Sequence, residues 1–219
     1  MLSAFRQNAH QTDLLLAENN TIMDSRALLG CERAARYYAA RGNSRKAIAI
    51  LEKAAEYCKE NSNSEAEVRV CSLIAETADS PSIKCKYLMR LGDLHSHAGK
   101  YSLSESAFIS AYSAAKKMNC ESERARALIS LGNMYYKMGN YPSSSKAFGR
   151  AKRYADKTGD HEIFSLLSRG IGINYRIRKK HFIAQKYFRK ELEHAKLSHN
   201  AELFYKAYEN LGISYNHQG

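Results

Sequence analysis

Proline is scarce in this chain, with two residues in 219, and tryptophan is absent. An all-β chain needs proline and other turn residues at most of its corners, so that class is disfavoured. No apolar run approaches the ~18 residues of a membrane-spanning helix, and the mean hydropathy is −0.52. Leu14–Leu16 is too short an apolar run for a signal-peptide core, and no basic cluster precedes it. Leu2 excludes N-terminal myristoylation. The five cysteines, Cys31, Cys58, Cys71, Cys85 and Cys120, are odd in number, widely spaced and without a CxxC pair. They read as small packing residues with reduced thiols, which points to a cytoplasmic protein.

Signatures of catalysis are missing as well. There is no G-x-x-x-x-G-K-[ST] phosphate loop and no G-x-S-x-G nucleophile turn. Ser143-x-x-Lys146 falls inside a predicted helix and reads as coincidence. The eight histidines show no ligand spacing; His95 with His97, and His194 with His199, face different sides of their helices. The expectation is a protein that is not an enzyme, with no metal and no cofactor.

Charge, by contrast, is plentiful and uneven. Residues 1–110 carry 14 Lys+Arg against 13 Asp+Glu, and residues 111–219 carry 20 against 9. Between Lys146 and Lys190 there are 13 basic residues and only Asp156, Asp160 and Glu162 to oppose them. A block of this kind calls for an acidic partner.

The dominant signal is an internal repeat. LGDLHSHAGKY begins at Leu91, LGNMYYKMGNY at Leu131, IGINYRIRKKH at Ile171 and LGISYNHQG at Leu211, so the repeat has a constant 40-residue period. Gly92, Gly132, Gly172 and Gly212 share one position, and His95, Tyr135, Tyr175 and Tyr215 another. Phe108, Phe148 and Phe188 share a third, in the second half of successive repeats. Two antiparallel helices per repeat account for the pattern. The glycine after Leu lets a neighbour approach closely, Gly99 and Gly139 stop the first helix, and Pro142 opens the second.

Leu131, Gly132, Tyr135, Gly139, Tyr141, Ser144, Phe148 and Ala151 resemble the tetratricopeptide repeat (TPR). The resemblance covers residues 82–219. It departs from the usual 34-residue unit in its 40-residue period and in lacking the closing proline. It implies an all-α TPR solenoid, a right-handed superhelix of antiparallel helix pairs, acting as a non-catalytic scaffold or adaptor. The 40-residue period with Leu-Gly-Asn is similar to spindle-orientation and cell-cortex adaptors of the Leu-Gly-Asn repeat class. The stretch from Phe188 to Tyr215 is more similar to TPR subunits of ciliary outer dynein arm docking complexes. The leading expectation is therefore a role in the ciliary axoneme cytoskeleton. The alternatives are the spindle adaptor and a TPR regulatory subunit of a nuclear or enzyme complex.

The ends are irregular. Residues 1–20 read as an N-terminal arm or short helix, and 21–61 as a degenerate unit on Tyr38, Gly42, Ala47, Leu51 and Ala54. Residues 62–80 add one helix and a break. The array at 81–219 follows, with units near 81–120, 121–160, 161–200 and a truncated one at 201–219. The distance from Ala34 to Leu91 exceeds one period by the length of a single helix, so the helix at Ser64–Ala78 either docks out of pattern or lacks a neighbour. The chain stops within a unit, so it is expected to be a piece of a longer array or to have its cap supplied by a partner.

By the resemblance, first helices line a concave groove. Its candidate residues are Lys86, Met89, Asp93 and His97, then Arg126, Ile129, Asn133, Tyr136 and Lys137, then Arg169, Ile173 and Arg176, and finally Lys206, Glu209 and Asn216. Such a groove suits an extended or helical peptide carrying carboxylates. Asn133→Ala and Arg169→Glu are expected to abolish binding without loss of helicity. The chaperone-type carboxylate clamp is not matched, because Met89 and Asp93, or Ile129, Asn133 and Gly170, fall at its positions. Second helices carry a basic ridge: Lys146, Arg150 and Arg153, then Arg178, Lys179 and Lys180 at a turn, then Arg189 and Lys190. Acidic tubulin tails or dynein-arm components suit the ridge. Nucleic acid ranks below them for want of a motif, and no membrane contact is expected.

Overall fold

The computed structural model describes residues 25–216. The expected N-terminal arm at 1–20, residues 21–24 of the expected degenerate unit, the side chain of Asn216, and residues 217–219 lie outside the described residues. Ten helices and no strand are present among the described residues. They are α1 (Ser25–Ala40), α2 (Ser44–Glu60), α3 (Ser64–Thr77), α4 (Pro81–His97), α5 (Tyr101–Lys117), α6 (Glu121–Lys137), α7 (Tyr141–Thr158), α8 (His161–Ile177), α9 (His181–Leu197) and α10 (Ala201–Asn216). The chain divides between Leu94 and His95 into two compact units. No helix among the described residues is long and apolar enough to cross a membrane.

Local chemistry sets the helix boundaries. Side chains of Asn43, Asn63 and Asn140 cap α2, α3 and α7 by accepting a backbone N–H three positions on. Asp160 accepts from Glu162 and Ile163 at the start of α8, and Pro142 occupies the first turn of α7. Every turn between described helices except that from α3 to α4 then reverses through one left-handed residue. From Gly99 onward these recur at every half-period: Gly99, Asn119, Gly139, Gly159, Lys179 and His199. Lys179 has φ +56° where its counterparts in the two preceding repeats are glycine, a conformation that costs an L-residue about 1–2 kcal/mol.

The first unit contains the irregularity. Its helix α3 has 14 residues where α2 has 17. The chain then leaves through extended Ala78 and restarts at Pro81, with no left-handed residue between them. Even so, α3 packs against both α1 and α2, and its Glu67 carboxylate accepts from Arg90 of α4 at 2.6 and 2.9 Å. The extra helix is thus a shortened member of the stack, locked to its neighbours. Cys31, Cys58, Cys71 and Cys85 are all buried. Burial pushes the Cys31 thiol up to about 11 and Cys71 up to about 12.

The second unit shows why the Leu-Gly position matters. The rings of Phe108, Phe148 and Phe188 are at most 1% exposed, and burial of each contributes about 1.5–3 kcal/mol. A Cβ at Gly132 would lie 2.6 Å from the Phe148 ring, and one at Gly170 equally close. Gly172 meets the Phe188 ring in the same way, at 2.7 Å. At Gly212 nothing lies within 4 Å, and α10 exposes Tyr205, Tyr208, Ile213 and Tyr215. The ring fills the space left by the missing side chains, and helix approach is set by that fit. Gly132→Ala should therefore destabilise the second unit by about 1–3 kcal/mol, the usual range for overpacking. Urea denaturation reads this directly, and unchanged stability would mean that the ring can move aside. Gly149→Ala, with open space around the position, is the matched control.

Candidate protein-interaction site

In the first unit, the groove candidates Lys86 and Asp93 lie on α4. Lys86 is exposed and stands 3.8 Å from Glu52; Asp93 is half-buried. Lys86 borders a cleft of about 510 Å³ between α2, α3 and α4 that sequence reasoning missed. Several of its polar groups bond one another. The Tyr87 hydroxyl donates to Glu52 at 3.1 Å, and Arg90 bonds Glu67 through two nitrogens. Burial, reinforced by Glu52, pushes the Tyr87 hydroxyl well above the ordinary tyrosine range. Tyr87 and Glu52 lie on different helices, and no spacing rule in the sequence links them.

In the second unit, the predicted groove residues are largely engaged. Arg126 lies 3.5 Å from Asp160 and 3.4 Å from Glu162. Lys206 is paired with Glu202. Arg169 donates to Glu191 at 2.6 Å, and that carboxylate is fully buried. Asn210 donates to both oxygens of Glu191, at 3.2 and 3.3 Å. Burial pushes the Glu191 carboxyl up, opposed by these donors. Arg176 lies over the Phe188 ring, 5.6 Å from its centroid. Ile129 is buried in the core instead of lining a groove. What remains open is smaller: His97, Asn133 and Lys137 are exposed. The half-buried Tyr136 is tilted against Tyr141, with the ring centroids 6.2 Å apart.

The ridge residues are placed differently. Lys146, Arg150 and Arg153 on α7, Arg178, Lys179 and Lys180 in the turn, and Arg189 and Lys190 on α9 are all exposed. Several lie over aromatic rings: Arg150 over Tyr112 at 5.4 Å, Arg178 over Tyr175 at 6.0 Å and Lys190 over Tyr187 at 5.7 Å. These contacts hold the cations outward without neutralising them. None of the eight makes an ion pair with a described residue.

Two further residues meet that the sequence reading kept apart. His161 and His194 approach at 3.1 Å between their Nδ1 atoms, and their rings stack. Burial, then the His161 charge, lowers the His194 pKa. The same burial effect lowers His95. Among the described residues no group of three or more His, Cys, Asp or Glu converges as metal ligands would.

The ion pair at Arg169 corrects the expectation that Arg169→Glu leaves the fold intact. That change would set a second carboxylate against buried Glu191. It should cost about 3–5 kcal/mol, the loss typical of a broken buried pair, and lower the urea midpoint accordingly. Exposed Asn133→Ala should leave that midpoint within experimental error. A wild-type midpoint for Arg169→Glu would show that Glu191 escapes to solvent.

No protein-family model and no curated protein matches the sequence. Solved structures do. BtubC (BKLC) from P. vanneervenii shares 12% identity at TM-score 0.54, over 98% of this chain and 81% of that one. A MamA protein shares 16% at TM-score 0.53, over 91% and 94%. A signal-transduction ATPase with numerous domains and a tetratricopeptide repeat sensor, from Pyrococcus horikoshii, shares 17% at TM-score 0.51. That match covers 92% of this chain and 35% of the ATPase. At such identities the likeness is one of fold: the chain is an all-α TPR helical-repeat solenoid.

Proposed function

We propose that this TPR chain is a non-catalytic protein-interaction scaffold that docks an acidic protein surface along α7, α9 and the turn between α8 and α9. The observation that carries this reading is the sorting of charge in the second unit. Arg126, Arg169 and Lys206, on α6, α8 and α10, face carboxylates of the chain itself. The eight ridge cations on α7, α9 and the turn are exposed and make no ion pair with a described residue, whereas Lys152 and Lys157 of α7 pair with Asp156 and Glu121. An unopposed cationic surface raises the rate at which acidic partners are captured and selects against basic ones.

The finer reading is axonemal, with acidic tubulin tails or a dynein-arm docking component as the partner. The resemblance of the repeats to outer dynein arm docking subunits supports it, as does the sign of the ridge. Co-sedimentation with microtubules, before and after proteolytic removal of the acidic tails, tests the proposal. Wild type should pellet with intact microtubules and lose about tenfold in affinity between 50 and 200 mM salt, the dependence expected when exposed ion pairs are screened. The double variant Lys146→Glu/Arg153→Glu should fail to pellet at either salt concentration. Asn133→Ala should behave as wild type. Equal pelleting by the double variant and wild type would sink the ridge. Loss in Asn133→Ala alone would return the site to the concave face.

A further inference from the structure

Three helix junctions of the second unit, α5/α6, α7/α8 and α9/α10, are copies of one another, and their equivalent positions differ. At the α5/α6 junction the Tyr135 hydroxyl donates to the carboxylate of Glu105. At the α9/α10 junction Arg189 donates to the Tyr215 hydroxyl at 2.9 Å. Each tyrosine is met by a long side chain from the preceding helix. At the α7/α8 junction the tyrosine is Tyr175, and the two positions that could meet it hold Ser145 and Gly149. Ser145 stands in the place of Glu105, and Gly149 in that of Arg189. Among the described residues no side chain hydrogen-bonds the Tyr175 hydroxyl. The vacated space is a cleft of about 190 Å³, walled by the Phe148 edge and by the stacked rings of Tyr175 and Tyr187.

Gly149 has no packing reason to be glycine. It lies inside α7, where glycine costs about 1 kcal/mol relative to alanine, and nothing lies within 4 Å of a Cβ built there. A side chain at this position would project over the cleft. The floor is polar where the preceding copy is apolar: Asn174, 3% exposed, replaces Met134. The Asn174 Nδ2 donates to the hydroxyls of Ser144 and Ser145, at 3.0 and 3.4 Å. Its Oδ1 is buried and has no partner among the described residues. A serine hydroxyl can donate or accept, so either orientation of the amide satisfies these hydroxyls. With the amide turned, an N–H donor occupies the unpartnered place. At the rim stand Arg178, over Tyr175, and Lys152, which holds Asp156 at 2.7 Å in an exposed i,i+4 pair. Such a pair is weak and exchanges readily.

We infer that the α7–α8–α9 cleft is a docking pocket for a glutamate or aspartate side chain of an acidic partner, held where Glu105 is held in the preceding repeat. The incoming carboxylate accepts from the Tyr175 hydroxyl and the Asn174 amide, and it lies under the positive charge of Arg178 and Lys152. The inference rests on the acidic-partner reading above and gives the ridge a point of specific anchorage.

The test uses the whole chain and a fluorescein-labelled deca-glutamate peptide, with deca-glutamine as control. Binding is read by anisotropy and by the side-chain NH2 resonances of Asn174. Wild type should bind deca-glutamate only, and the Asn174 signals should move on saturation. Ser145→Glu restores the internal carboxylate; it should keep wild-type circular dichroism, melt no lower than wild type, and bind at least tenfold more weakly. Tyr175→Phe should weaken binding about tenfold while its thermal midpoint stays close to wild type. Lys146→Glu/Arg153→Glu, outside the cleft, should weaken binding yet still move Asn174 at saturation. The inference is overturned if folded Ser145→Glu binds as wild type does, or if Asn174 stays fixed under saturating peptide. If it is overturned while Lys146→Glu/Arg153→Glu still weakens binding, the ridge reading stands without the pocket. Absence of any peptide binding also overturns it, and microtubule sedimentation then decides whether the ridge reading falls with it.

Discussion

The Phe148 ring lodged against Gly132 and Gly170 is the contact on which the second unit depends. Each helical glycine costs about 1 kcal/mol against alanine, so the arrangement is favourable only when the ring is seated. Seating requires α6, α7 and α8 to approach at one depth and in one register. Phe188 repeats the constraint against Gly172. Once the register is fixed, every other position on these helices is assigned a direction. The half-period spacing of the left-handed turn residues carries the same frame along the unit.

Within that frame the chemistry is free to vary from copy to copy. A repeat contacts mainly its neighbours, so a change at one junction is felt locally. The buried Glu191 shows one use of this freedom. It takes a donor from α8 and another from α10, which ties three helices through one carboxylate. A buried ion pair adds little stability over an apolar contact, but loss of one partner is severe. Its effect is to penalise any slip of α8 or α10 past α9. The basic ridge shows the opposite use, since several of its cations lie over tyrosines, where they are positioned but left uncompensated.

The repeat made much of the fold legible, because the glycines and phenylalanines recur at fixed spacing and their sizes are complementary. The exposure of Lys146 and Arg153 was legible for the same reason, because they lie off the buried stripe of α7, and that of Lys179 because it falls in the turn between two helices. The pairing of Arg169 was not. Its partner Glu191 lies on another helix, and a spacing rule within one helix cannot see it. His161 and His194 met for a similar reason, through packing of α8 on α9. The shortened α3 appeared in the sequence only as an excess of one helix over the period, and its docking depends on Glu67 finding Arg90. The α7–α8–α9 cleft was hidden because it is made by what is missing. Serine and glycine carry no positive signal, and only alignment of Glu105, Ser145 and Gln185 shows that a side chain has been withdrawn.

That withdrawal bears on why the middle junction differs from its neighbours. Replacing Met134 by its copy Asn174 places an amide in a core position, and an unpaired buried polar atom costs about 1–3 kcal/mol. Gly149 adds its own helix penalty. Both costs fall on the α7/α8 junction, where the Phe148–Gly170 contact already holds the helices together. At α9/α10 the equivalent of Gly170 is Asn210, which is engaged with Glu191, and the tyrosine above it is closed by Arg189. Of the three equivalent junctions, the one whose ring packs across it on a glycine is the one left open.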